Sequence, residues 1–141
     1  MSPATANAFV LDTSVTLGAL FKDEQDAYSL AVLDSLNEAQ AVVPALWHVE
    51  LGNILGRALT AGRISAPDLA TSWQRLQALG IQTLTVPDDA HHWAQRCVEW
   101  RLTAYDCCYL DLARQRRLPL ATKDQALVRA ARRIGVAVYL G

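Results

Sequence analysis

LTAYDCCYLDLARQRRLPLATKDQAL, Leu102 to Leu127, reads as a helix, a turn and a short buried strand. Two aspartates in it do nothing for that structure. Asp106 lies near the start of the helix, and Asp124 follows the strand, after Thr122 and Lys123. Either could cap a helix, or the two could be corners of one site. Outward from this stretch, short apolar runs alternate with helical patterns. AFVLD is a buried strand, Ala8 to Leu11, ending in an acid. DTSVTLGALF opens a helix. Asp26 to Leu36 carries leucines at helical spacing. QAVVP is a second strand stopped by Pro44. ALWHVELGNILGRALTAG is helical to about Gly62, and SAPDLATSWQRLQALG is a further helix with Pro67 in its first turn and Gly80 past its end. IQTLTV is a third strand. PDDAHHWAQRCVEWRL is a helix with Pro87 and two acids at its start, which suits the helix dipole. After the opening stretch come a helix, DQALVRAARRIG, and a last strand, VAVYL.

Strands alternating with helices predict a three-layer α/β/α sandwich with a mainly parallel central sheet. The chain has 141 residues, enough for one domain with a real core, taken as residues 1–141. About half is apolar, which is globular composition. No apolar run approaches the roughly 18 residues of a membrane span. MSPATANAFVLD lacks a basic segment and a long apolar segment, so no secretory signal is expected. Cys97, Cys107 and Cys108 have no metal-ligand spacing and are expected as reduced packing residues of a cytoplasmic protein. Net charge is −1, yet seven of the 13 Lys and Arg lie between Arg114 and Arg133. They form solvated helix faces or a rim that meets phosphates.

In parallel α/β sheets, sites gather at the carboxyl ends of strands. That rule selects Asp12 after the first strand and Asp124 after a later one. Glu50 and Asp106 complete a set of four acids. Glu50 interrupts an apolar helix, and Asn53 one turn on is placed to hydrogen-bond it. Ser14 and Thr122 are hydroxyl residues beside Asp12 and Asp124. Four converging carboxylates repel one another, and a divalent cation removes the conflict. Oxygen-only ligands suit Mg²⁺ or Mn²⁺ rather than structural zinc, and such a site can serve phosphodiester cleavage. Asp111, five residues from Asp106, points about 140° away on a helix. It is expected to be solvated or paired with Arg114. His48, His91 and His92 have no ligand spacing, and the four tryptophans are read as core or dimer packing.

FVLDTSVTLGALF (Asp12, Ser14), VVPALWHVELGNIL (Glu50, Asn53), LTAYDCCYLDLA (Asp106) and LPLATKDQAL (Thr122, Asp124) together resemble the PIN-domain family, and within it the VapC-type toxins of toxin–antitoxin pairs. The resemblance covers nearly the whole chain. It implies a metal-dependent endoribonuclease that cleaves RNA with Asp12, Glu50, Asp106 and Asp124 as catalytic and metal-binding acids, and Ser14, Asn53 and Thr122 in support. It also implies a homodimer, no membrane association and a cognate VapB-like antitoxin whose tail blocks the groove. Cys107, Cys108 and Asp111 depart from the family's YDA-Y-ALA pattern without removing an acid.

Three other readings compete. A receiver domain wants an adjacent acidic pair that FVLDTS lacks, and a phosphoacceptor Asp after a central strand. A dehalogenase-like phosphatase wants Asp-x-Asp after the first strand, where Ser14 holds the second place. A PIN fold kept as a catalytically silent binding module is opposed by the complete set of acids.

Overall fold

The protein is described by a computed structural model for residues 7–141; the first six residues, part of the stretch read above for a secretory signal, lie outside the described residues. Four strands, β1 (Ala8–Leu11), β2 (Gln40–Pro44), β3 (Gln82–Leu84) and β4 (Leu120–Ala121), form one parallel sheet in the order β3-β2-β1-β4. Seven helices flank it: α1 (Thr13–Leu20), α2 (Ala27–Ser35), α3 (Ala45–Thr60), α4 (Ala66–Ala78), α5 (Ala90–Trp100), α6 (Ala104–Arg116) and α7 (Gln125–Arg133). This is the expected α/β sandwich.

The inner strands run apolar at consecutive positions, Ala8–Leu11 and residues 41–44, rather than at alternate ones, because a parallel sheet is covered on both faces. Phe9, Val10 and Leu11 of β1 have no exposed surface, and neither do Ala41 and Val43 of β2. The register pairs Val10 with Val42 on one side and with Leu120 on the other. β1 therefore ends in the crevice between β2 and β4, where the strand order changes direction, and Asp12 is the next residue. Helix boundaries follow their caps. Ser65 accepts from Asp68 N at the start of α4, and Gly80 takes φ +68° beyond its end, a conformation that favours glycine. α5 begins later than its pattern suggested. Asp89 caps it through His91 N, while Pro87 lies outside and offers its carbonyl to the Trp93 indole.

Two strand expectations are corrected. IQTLTV pairs only over Gln82–Leu84. VAVYL is not a strand but a single bridge, Leu120 with Val138, held by Leu120 N to Ala137 O (2.9 Å) and Tyr139 N to Leu120 O (2.8 Å). β4 is only two residues long, so it offers little ladder to extend, and Leu140 at φ +55° turns the backbone away. Side chains hold this segment instead. Tyr139 stacks on Phe9 with ring centroids 3.9 Å apart, and Tyr28 donates to its carbonyl at 2.7 Å.

Trp47 and Trp100 are core residues, and Trp73 and Trp93 pack partly buried against the core. The three cysteines are free, and burial beside Cys97 pushes the Cys107 thiol up to about 12, which keeps it neutral and unreactive.

Candidate active site

Each acid is delivered by a different part of the fold. Asp12 follows β1. Its backbone N–H donates to Ala121 O at 3.0 Å, which extends the β1–β4 pairing by one residue. It stands at the N-terminal cap position of α1, but its side chain does not cap. The carboxylate is turned toward β4, where Ser14 Oγ (2.6 Å) and Thr122 Oγ1 (2.8 Å) both donate to Oδ2. Those hydroxyls are placed by the backbone in turn, since Lys123 N donates to Ser14 Oγ at 3.0 Å and Asp124 N to Thr122 Oγ1 at 3.1 Å. The supporting places expected for Ser14 and Thr122 thus correspond to direct bonds to Asp12. Burial raises the Asp12 carboxyl above its ordinary value, against the lowering effect of both hydroxyls, and the charge of Asp124 adds to the rise.

Glu50 comes from the second turn of α3. Asn53 does not hydrogen-bond it and is exposed, in a shallow groove with Gly52 and Gly56. The partners are residues that sequence spacing did not single out. Tyr109 of α6 donates its hydroxyl to Glu50 Oε1 at 2.5 Å, and Thr13 of α1 donates to the same oxygen at 3.2 Å. Burial and the bond to Glu50 push the Tyr109 phenol upward, so it is the donor. Tyr109 is one turn beyond Asp106 on the same helix face, and Thr13 directly follows Asp12. Adjacency to two motif acids is the sequence signal that could have marked both.

Asp106 does not cap α6. Thr103 does, accepting from Asp106 N at 3.2 Å. The Asp106 carboxylate is half-buried and has no hydrogen-bond donor among the described residues. Burial, then the charges of Asp124, Asp12 and Glu50, push it up to about 6. A first-turn position favours an anion by about 0.3–1 kcal/mol, and the neighbouring acids outweigh it. Asp124 does cap, accepting from Leu127 N at 3.1 Å at the start of α7. Of Asp106 and Asp124, one caps and one does not, and both lie in the same field of charge.

One further expectation is corrected. Asp111 is neither solvated nor paired with Arg114. It is 1% exposed, and His92 Nε2 stands 3.0 Å from its Oδ2, because α5 packs over that side of α6. It does diverge from the acid cleft, as its helical phase required. Of the basic cluster, Arg114, Arg116, Arg117, Arg129, Arg132 and Arg133 are exposed, as solvated helix faces. Arg114 and Arg116 lie in the last turn of α6, and Arg132 and Arg133 in the last turn of α7. Their backbone is roughly 12–15 Å along the helices from Asp106 and Asp124, at 1.5 Å per residue. Lys123 is near the acids but is bound to Asp26 at 3.1 Å and to Glu24 O.

The donor set fits a hard divalent cation in kind. All four acids offer oxygen, and Asp12 and Glu50 each have one oxygen held by two hydroxyls and the other without a hydrogen bond. The spacing is open. Among the described residues, no three His, Cys, Asp or Glu side chains stand close enough together to hold an ion.

A PIN-domain family model matches residues 9–133, a span that includes all four acids. The chain is similar in fold to PAE2754 from Pyrobaculum aerophilum, whose crystal structure it matches with a TM-score of 0.68 and 21% identity, over 92% of this chain and 83% of that one. No curated protein matches the chain. PIN domains are generally nuclease-like and typically bind divalent metals. With four parallel strands, acids at their carboxyl ends and a family match over most of its length, the chain belongs to the PIN-domain family.

Proposed function

We propose that residues 1–141 form one PIN unit acting as a Mg²⁺- or Mn²⁺-dependent endoribonuclease of the VapC toxin type. In this reading it works in the cytoplasm as a homodimer and is restrained by a VapB-like antitoxin. The observation that carries the reading is the placing of a half-buried Asp106 within the charge of three other acids: burial first, and then Asp124, Asp12 and Glu50, push its carboxyl up to about 6. Acids from four separate segments share one cleft, with no Lys or Arg among them. Asp12 and Glu50 present the oxygens that their hydroxyls leave free, and Asp106 and Asp124 close the cleft from α6 and α7. Bound among them, the cation supplies charge neutralisation at the scissile phosphate and a lowered pKa for the attacking water. The same acids suit an antitoxin arginine, since guanidinium pairs bidentately with carboxylate.

The test is RNA cleavage by purified chain, with and without excess EDTA, beside Asp12→Asn. Cleavage is expected to stop in EDTA, return with Mg²⁺ or Mn²⁺, and be absent in the variant. Cutting at the full rate in EDTA, or by a clean Asp12→Asn preparation, overturns the reading. The open spacing of the acids favours a second reading, a silent binding module. A folded wild-type chain that cuts no RNA with either metal decides for it. A neighbouring reading frame encoding a small protein with a DNA-binding half and a disordered tail supports the toxin assignment.

A further inference from the structure

Glu50 is gripped at one oxygen only. Tyr109 donates to Oε1 at 2.5 Å and Thr13 reaches the same atom at 3.2 Å. The two hydroxyls are 2.9 Å apart, so groups from α3, α6 and α1 close a triangle. The Tyr109 ring has no exposed surface, and Thr13 is 6% exposed, so packing on both sides fixes the donors. Oε2 has no hydrogen-bond partner among the described residues. A carboxylate held this way offers a cation one oxygen, because swinging to offer both breaks two hydrogen bonds to donors that are themselves buried. Mg²⁺ demands near-ideal octahedral geometry, whereas Ca²⁺ takes six to eight oxygens and readily uses both oxygens of one carboxylate.

We propose that Tyr109, seconded by Thr13, is a positioning residue that fixes Glu50 as a one-oxygen ligand and so sets the cleft's preference for a small divalent cation over Ca²⁺. This rests on reading the cleft as a metal site. One helix then does two jobs. Asp106 enters the cleft from its first turn, and Tyr109, three residues on, holds a ligand that another helix supplies.

A purely structural Tyr109 would also bond Glu50, so the test reads a ratio rather than a loss. Mn²⁺ and Ca²⁺ affinities are measured by calorimetry for wild type, Asp12→Asn, Tyr109→Phe and Thr13→Val, with circular dichroism to confirm folding. Tyr109→Phe is expected to weaken Mn²⁺ about tenfold, as changes behind a metal ligand do. Ca²⁺ affinity is expected to hold or rise, so the Mn²⁺ preference falls. Thr13→Val shifts the ratio the same way by less, and it carries the test if Tyr109→Phe does not fold. Equal weakening of both metals, or no change in either, overturns the proposal and leaves Tyr109 a core residue. A wild type that binds neither metal, or an Asp12→Asn that binds like wild type, overturns the metal-site reading and this proposal with it.

Discussion

Asp12 ends a central strand, is 7% exposed, and has Ser14 and Thr122 donating to one oxygen. Asp106 lies in the first turn of α6, is half-buried, and has no donor on its carboxylate among the described residues. Burial raises both. At Asp12 the hydroxyls return part of what desolvation takes. At Asp106 nothing does, and three neighbouring charges push further. The strand-borne acid is built in as structure, and the helix-borne acid carries the repulsion of the site. Losing either should harm the chemistry, but only the loss of the Asp12 carboxylate also leaves two hydroxyl donors without their acceptor.

The sharpest way to break that contrast is Asp106→Asn. Cleavage should fall by at least about a thousandfold, since the variant removes a proposed ligand of a cation that supplies several kcal/mol at the transition state. Stability in EDTA should move the other way. The folded carboxyl titrates at about 6, above the ordinary 3.8, so between those values the folded chain holds a proton that the unfolded chain has lost. The group's contribution to stability is complete below 3.8 and is lost as pH rises through about 6. Thermal melts should thus find Asp106→Asn more stable than wild type at pH 7.5 and equal to it near pH 4. A variant that is less stable at pH 7.5 contradicts the account.

A smaller effect probes the other corner. Thr122→Val keeps the shape but removes the donor to Asp12 and the acceptor of Asp124 N. Urea unfolding at pH 7 should show a loss of about 1–3 kcal/mol, the range for leaving buried polar groups unpartnered. No loss would mean that Ser14 alone suffices and that Asp12 is not the built-in acid described.

The smallest effect is expected at Asp111→Asn. Its side chain lies under α5 with His92, off the face that Asp106 shares with Tyr109. Cleavage should stay within about threefold of wild type, under about 1 kcal/mol of barrier. If it is as inactive as Asp106→Asn while folded, the division of α6 into a cleft face and a packing face is wrong.

Much of the frame was legible in sequence because it rests on local chemistry. AFVL is apolar throughout and QAVVP is apolar after Gln40, and both form strands with the expected ends. Ser65, Pro67 and Gly80 mark α4 by capping and backbone preference alone. What failed depends on partners far along the chain. VAVYL has strand composition, but its pairing is limited by how short β4 is, which VAVYL does not encode. Asp111 looked solvated because Arg114 stands three residues away, and only the packing of α5 shows what covers it. Within the cleft, the acids were marked by their places after strands and in an apolar helix. Their hydrogen bonds were partly misread. Asn53 was chosen because spacing along one helix is visible, whereas the true donors to Glu50 come from helices 37 and 59 residues distant.

The place of β4 on the far side of β1 has a consequence for how the chain is made. Thr122 reaches Asp12 across 110 residues, and Tyr139 stacks on Phe9 across almost the full length. Synthesis delivers β1 first and its outer neighbour nearly last. Until then Asp12 has only Ser14, and Glu50 waits for Tyr109. Loop closure over such separations is slow compared with local helix formation. The cleft is accordingly among the last features to assemble on the ribosome, and a chain halted before β4 carries the first acids without the cleft that makes them a site.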